Sequence, residues 1–120
     1  MGAPVVHFEI GCQKHESTVA FYRELFGWAM EGFGPSTTMV NTGSAVGIQG
    51  HFNSLGHPPH QYVTVYVQVE DLEASLAKAG ALGGKTIGPP QEVPGMGHFA
   101  WFQDPEGNCV GLWKPMGGAC

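Results

Sequence analysis

Two stretches of the chain alternate apolar and polar residues and then change to a helical period. The first is VVHFEI at residues 5–10, and the second is YVTVYVQV at residues 62–69. Strict alternation predicts a strand with one apolar face, because successive side chains of a strand point to opposite sides. Each stretch leads into an amphipathic pattern that a glycine closes, which predicts helices over about residues 16–26 and 72–82. The valines of the second strand are expected to face the helix.

The two strand-helix stretches superimpose at a constant offset of 57 positions. Leu25 meets Leu82 and Gly27 meets Gly84 on this register. An internal repeat of this length predicts two copies of one small module, packed together because neither buries its apolar face alone. The sequence therefore predicts a single domain over residues 1–120, built from modules at 5–50 and 62–115.

Short strands are predicted to complete each module. In the first module, turn signals separate three segments, the last of them at Ala45–Gly50. A histidine- and proline-rich stretch, residues 51–61, is interpreted as the exposed connector between modules. In the second module, HFAWFQ and NCVGLW are predicted strands joined by the turn sequence DPEG, and GPPQEVPGMG before them is interpreted as a loop.

Composition and charge limit the classes of function. The net charge is −5 and the five basic residues form no cluster, which argues against nucleic acid and against an anionic membrane surface. No apolar run approaches the roughly 20 residues that span a bilayer. Three cysteines without disulfide or zinc spacing indicate a reducing cytoplasm.

Three segments together carry a family resemblance: FYRELFGW, VEDLEASLAKAGALGG and PGMGHFAWFQDPEGNCVGLWKP. In this order, inside a repeat, they resemble the vicinal oxygen chelate superfamily of glyoxalase I, extradiol dioxygenases and bleomycin-resistance proteins. The resemblance implies an α+β fold in which two βαβββ modules form a cupped, eight-stranded mixed sheet with helices outside. It also implies a small-molecule ligand inside the cup and a homodimer in solution.

The resemblance places metal ligands on the first and last strands of each module. His7 is a ligand type at the first of these positions, but Thr64, Gly47 and Gly111 stand at the other three. One imidazole does not hold a divalent ion, which needs several N, O or S donors. We therefore expect no metal at the usual site and no other cofactor.

A displaced metal site is the alternative. His7 and Glu9 share a strand face, and a second histidine, His51 or His98, would complete a 2-His-1-carboxylate set suited to iron. With His51, this set requires a loop to fold over the cup. A divalent metal therefore stays open as an alternative cofactor.

The cup itself is the predicted ligand site. Gly47 and Gly111 are expected to leave room at the centre of the sheet, since a glycine within a strand often marks the close approach of a ligand. The side on which Trp101 lies is undecided, because its strand is apolar on both faces. The predicted ligand-binding residues are His7, Glu9, Gly47, Tyr62, Thr64, Tyr66, Gly111 and Trp113.

Three functions are compatible with this pattern. The first is a metal-independent protein that binds an aromatic or otherwise flat molecule, to sequester or sense it. The second is a metal-dependent lyase or dioxygenase with a non-standard site that includes His7. The third is an enzyme without metal, in which His7 or Glu9 is the general base.

Overall fold

The computed structural model describes residues 2–116 and divides the chain into two compact units. The first unit is residues 7–64, and the second combines residues 1–6 with residues 65–120. Within the described residues there are nine strands and two helices. Neither helix is long and apolar enough to cross a membrane.

The first unit is a four-stranded mixed sheet with one helix. Its elements are β1 (Val5–Gly11), α1 (His15–Phe26), β2 (Ala29–Gly32), β3 (Thr37–Asn41) and β4 (Gln49–Asn53). The strand order is β2-β3-β4-β1, and β4 pairs with β1 in parallel while the other two pairings are antiparallel. A parallel pair needs a long crossover, which α1 and the hairpin β2–β3 provide here.

One face of this sheet forms the core of the first unit. The helix places Val19 against Cys12, Val40 and Phe52, all of them buried. Gly27 ends the helix in a left-handed conformation with φ 72°, and its N–H donates to the carbonyl of Arg23 at 2.8 Å. Alternation then directs the other residues of β1 and β4 to the opposite face of the sheet.

The second unit repeats this arrangement with one additional short strand. Its elements are the later part of β5 (Tyr62–Gln68, of which residues 62–64 belong to the first unit), α2 (Leu72–Ala81), β6 (Lys85–Thr86), β7 (Gln91–Val93), β8 (Gly97–Gln103) and β9 (Cys109–Pro115). The strand order is β5-β9-β8-β6, and β7 also pairs with β8. Asp71 caps α2, because its carboxylate accepts from the N–H of Ala74 at 2.9 Å. Leu72, Leu76, Ala100 and Leu112 form the buried core.

The predicted α+β class is confirmed, and both modules follow the βαβββ order, with β7 as one additional short strand in the second. Strands β1 and β5 begin 57 positions apart, at Val5 and Tyr62, and the helices begin at the same offset, at His15 and Leu72. The prediction that GPPQEVPGMG is only a loop is wrong, because its residues 91–93 pair with β8.

The boundary of the fourth predicted strand is also wrong. The sequence predicts Ala45–Gly50, but β4 is Gln49–Asn53, so His51 lies in the sheet rather than in the connector. Side chains of the preceding turn explain the difference. Asn41 accepts from the N–H of Gly43 at 2.8 Å, and Ser44 accepts from the N–H of Val46 at 3.0 Å. Such local hydrogen bonds compete with pairing in a sheet.

The faces of β5 follow the prediction only at the end of the strand. Val67 and the following Val69 pack against the core beneath α2, as expected. Val63, in contrast, is 74% exposed, whereas Thr64 and Tyr66 on the opposite face are buried. The packing of the core shows the reason: the apolar residues of α2 reach the end of β5 but not its beginning.

Leu76 and Leu82 offer a matched test of this core. Leu76 is 8% exposed and Leu82 is 72% exposed. We expect Leu76→Ala to lower the free energy of unfolding by about 2–5 kcal/mol, through lost burial and a cavity. Leu82→Ala should change it by less than about 0.5 kcal/mol. Urea denaturation of both variants makes the measurement, and equal losses would contradict the assigned core.

Candidate functional site

Polar residues gather on the face of the first unit that lies opposite its core. Because β1 and β4 are in parallel register, Glu9 lies beside His51, and His7 lies beside Gln49. Tyr62, the first residue of β5, reaches the same place. We call His7, Glu9, His51, Asn53 and Tyr62 the polar cluster.

The carboxylate of Glu9 is the centre of the polar cluster. Glu9 is completely buried, with 0% of its surface exposed. Its Oε1 lies 3.3 Å from Nε2 of His51. Its Oε2 accepts from Nδ2 of Asn53 at 3.3 Å and from the hydroxyl of Tyr62 in a short hydrogen bond. Burying a carboxylate is costly unless donors surround it, and these three residues supply them.

Gly11 allows Tyr62 to reach this carboxylate. The ring of Tyr62 occupies the space that a Cβ atom at position 11 would take. Burial, followed by the hydrogen bond and charge of Glu9, raises the pKa of the Tyr62 phenol far above its ordinary value. Tyr62 therefore stays protonated near neutral pH and acts as a donor.

His7 extends the cluster away from the carboxylate. Its Nε2 lies 2.7 Å from Nδ1 of His51, and the two ring centroids are 4.9 Å apart. A hydrogen bond between two ring nitrogens holds one proton, so the two rings are not both fully protonated. Burial, followed by the charge of His51, lowers the pKa of His7 to about 4, against a smaller opposing effect of Glu9. His7 is therefore neutral near pH 7.

The sequence predicts only part of this arrangement. His7, Glu9 and Tyr62 come together as expected, and Thr64 follows on the same face of β5 and is buried. His51 was expected only in the displaced metal set, and Asn53 was missed. Their signal was present, because Gln49, His51 and Asn53 alternate with Gly50 and Phe52 as strand residues do.

The geometry of these side chains does not fit a metal ion. His51 directs Nδ1 at His7 and Nε2 at Glu9, so the donor atoms face one another instead of converging on a common point. Zinc or a similar ion requires several donors at roughly 2.0–2.2 Å around one centre. Across residues 2–116, no group of three His, Cys, Asp or Glu side chains could hold a metal ion. His98, the other histidine of the displaced set, is exposed on β8 of the second unit.

Aromatic residues occupy the corresponding face of the second unit. Tyr66 is buried, and its hydroxyl accepts from Nε1 of Trp101 at 2.9 Å. The ring of Phe99 lies near both, with its centroid 6.4 Å from that of Tyr66 and 6.0 Å from that of Trp101. The register pairs Trp101 with Gly111 and Phe99 with Trp113, so Trp101, whose side was undecided, shares this face.

The two glycines do not together leave room at the centre of a sheet, as was expected. Gly111 does not leave open space, because the ring of Tyr66 on the adjacent strand fills the position of its absent side chain. Gly47 lies before β4 rather than within it, and its φ of 89° is one that favours glycine. The ligand-binding roles of all eight residues named in the sequence analysis stay predictions.

Comparison with known proteins identifies the family. Residues 5–112 match the model of the Glyoxalase/Bleomycin resistance protein/Dioxygenase superfamily. The chain belongs to this superfamily, as the sequence resemblance predicted.

Two curated relatives and one solved structure illustrate the likeness. CFP32 of Mycobacterium bovis, named as a glyoxylase, is 42% identical over 60 residues, which cover 50% of this chain and 22% of that protein. The anthracycline biosynthesis protein DnrV of Streptomyces peucetius is 28% identical over 94% of this chain and 47% of its own length. The chain thus spans less than half the length of these relatives. The Mn(II)-bound glyoxalase of Novosphingobium aromaticivorans has a TM-score of 0.63 at 16% identity, over 92% of this chain and 38% of its own.

The lowered pKa of His7 predicts a pH dependence of stability. Between pH 6.5 and about 4, His7 is protonated in the unfolded chain but neutral in the folded protein. The unfolded state then binds more protons, so acidification through this window destabilises the fold, and the loss is complete near pH 4. The contribution is at most about 3 kcal/mol, reduced by solvent screening because part of His7 is exposed.

Urea denaturation between pH 4 and pH 7.5 measures this contribution. The wild type should lose more stability on acidification than His7→Gln. His57→Gln, which changes an exposed histidine in the connector, should behave like the wild type. Identical pH profiles for the wild type and His7→Gln would contradict the assignment.

Proposed function

We propose that this protein binds a small, flat molecule at the polar cluster, without a metal ion. The contacts that run from His7 through His51 to the buried Glu9, at 2.7 Å and 3.3 Å, are the observation that carries the proposal. Neutral imidazole both donates and accepts hydrogen bonds, so His7 suits a ligand with hydroxyl or carbonyl groups. The rings of His7, His51 and Tyr62 offer planar surfaces on which an aromatic ligand stacks.

The relatives support a flat, oxygenated ligand. DnrV is named for anthracycline biosynthesis and covers most of this chain in the alignment. Anthracyclines have a planar ring system bearing carbonyl and hydroxyl groups, which is the chemistry that the polar cluster would recognise. Their class therefore guides the choice of test compounds.

Proton transfer without metal is a second candidate function. The contacts from His7 through His51 to Glu9 favour it. If His7 takes a proton from a ligand, the proton that lies between His7 and His51 would move onto His51. His51 would in turn pass a proton from Nε2 toward Glu9. The buried carboxylate, which His51, Asn53 and Tyr62 surround, would be the final acceptor of that proton. Turnover of a bound compound that survives a chelator would distinguish this activity from binding alone.

The metal-dependent lyase or dioxygenase is the less favoured alternative. It would require His51 to turn away from both His7 and Glu9, which breaks one hydrogen bond and one close contact with the buried carboxylate. Removing partners from a buried carboxylate costs several kcal/mol unless the metal replaces them.

A ligand screen tests the proposal. Protein purified without chelator or nickel resin is mixed with hydroxylated naphthoquinones and anthraquinones, and thermal unfolding is followed with and without EDTA. Binding to the native state alone should stabilise the fold by about 2.7 kcal/mol at 100 times the dissociation constant. We expect this stabilisation to persist in EDTA.

Two histidine variants localise the binding. The stabilisation should disappear in His7→Ala, and His57→Ala, at an exposed position of the connector, should retain it. Elemental analysis of the same preparations should show no stoichiometric metal. About one equivalent of zinc, manganese, nickel or iron, lost in His7→Ala, would overturn the metal-free proposal.

We further propose a homodimer in the cytoplasm. The resemblance to the superfamily and the small core of a 120-residue chain support the dimer. Three cysteines without disulfide or zinc spacing in the sequence support a reducing compartment. Light scattering at micromolar concentration should give twice the mass of the chain, and a monomer mass would contradict the dimer.

A further inference from the structure

A second group of reactive side chains lies in the first unit, apart from the five residues of the polar cluster. Cys12 follows β1 directly, and His15 is the first residue of α1 three positions later. Ser54 and Thr38 complete the group, which we call the thiol cluster. In the sequence, Cys12 stands out only as one of three cysteines, although His15 follows it at a spacing of three positions.

The thiol cluster has the geometry of a nucleophile, a base and an orienting group. Sγ of Cys12 lies 3.7 Å from Nδ1 of His15 and 3.7 Å from Oγ of Ser54. The same Nδ1 lies 2.8 Å from Oγ of Ser54, and Nε2 lies 2.8 Å from Oγ1 of Thr38. Hydrogen bonds to Ser54 and Thr38 thus hold the ring of His15 at both nitrogens, and Nδ1 also faces the thiol of Cys12. A base oriented by a third group is the usual arrangement that activates a nucleophile.

Cys12 also lines an open cavity of about 570 Å³. This volume is in the range of small-molecule sites. Apolar and polar residues share the walls, and Lys14 contributes a cation. The lining includes Ile10, Tyr22, Val63, Gln61 and Lys14, together with Tyr62 of the polar cluster.

We propose that Cys12 is a nucleophile that adds to a conjugated carbonyl compound bound in this cavity, with His15 as the proton carrier. Cys12 lines a cavity of suitable size, and Nδ1 of the oriented base His15 lies 3.7 Å from its sulfur. The mixed lining fits such a compound, because its carbon–carbon double bond is apolar while its carbonyl oxygen is a hydrogen-bond acceptor.

The addition is balanced without any further reactant. The sulfur forms a bond to the β-carbon, and the π electrons of the double bond move to the carbonyl oxygen as an enolate. The thiol proton passes to Nδ1 of His15, directly or through the hydroxyl of Ser54, and then to the α-carbon. The product is a thioether. The positive charge of Lys14 is of the sign that stabilises the enolate oxygen.

Limited access makes this reaction selective. Cys12 is only 4% exposed, whereas Cys109 is exposed. A reagent must therefore enter the cavity before it meets Cys12, and the labelling rate should saturate with reagent concentration. Cys109 should react in simple proportion to reagent concentration and serves as a comparison within the same molecule.

Site-resolved labelling of the full chain tests the proposal. The probes are N-ethylmaleimide and methyl vinyl ketone, both conjugated carbonyl compounds. Trypsin cleaves after Lys14 and Lys85, which places Cys12 in peptide 1–14 and Cys109 in peptide 86–120 together with Cys120, because Lys114 precedes a proline. Fragment-ion spectra separate Cys109 from Cys120. Mass spectrometry then gives the rate at each site. We expect a saturable reaction at Cys12 in the native protein.

Variants of the cluster identify the base. His15→Gln should slow labelling of Cys12 at least about tenfold, the lower part of what a general base contributes. It should leave Cys109 unchanged, and the matched variant His57→Gln should label like the wild type. Ser54→Ala should slow Cys12 to a smaller extent and provides a second variant if His15→Gln does not fold, which a thermal melt would reveal.

Three outcomes would overturn the proposal. Cys12 could label only in urea and not in the native protein, which would make it a purely structural residue. It could label at the same rate in wild type, His15→Gln and Ser54→Ala, which would exclude the base. Labelling in direct proportion to reagent concentration, without saturation, would exclude binding in the cavity. None of these results depends on the ligand of the polar cluster.

Discussion

The buried carboxylate of Glu9 is the constraint on which the first unit depends. A carboxyl group with no exposed surface, such as that of Glu9, is tolerated only where several hydrogen-bond donors contact it. His51 on β4, Asn53 at the end of β4 and Tyr62 at the start of β5 supply these donors. A shift of β4 by one residue would turn its donors toward the core, so the hydrogen bonds and the strand register support each other.

Close packing between glycine and aromatic residues recurs on these sheets. Gly11 receives the ring of Tyr62, Gly50 the ring of Phe8, and Gly111 the ring of Tyr66. A glycine on one strand thus gives an aromatic side chain room to lie across its neighbour. Glycines that the sequence suggested as space for a ligand are, in the case of Gly111, space for another side chain of the same protein.

Much of the fold follows from the sequence, because the hydrophobic period and the 57-residue repeat are strong, local signals. The helix ends and the strands β1 and β5 are set by residues within a few positions of them. The boundary of β4 was missed because Asn41 and Ser44 divert the preceding backbone into turns. The site was predicted in part, since His7 and Glu9 share a strand face. The bonding of His51 to both depends on register between distant strands, which a single sequence does not show.

Gly11 determines which side chains can contact the buried carboxylate of Glu9. The residue carries no functional group, and yet its lack of a side chain decides whether Tyr62 reaches Glu9. A methyl group at this position would push the phenol aside and leave the carboxylate with one donor fewer. The surroundings of the carboxylate would then change, although no polar atom had been altered. In sequence comparisons across the superfamily, the residue at this position would therefore show whether an aromatic hydroxyl at the start of β5 can reach a carboxylate on β1.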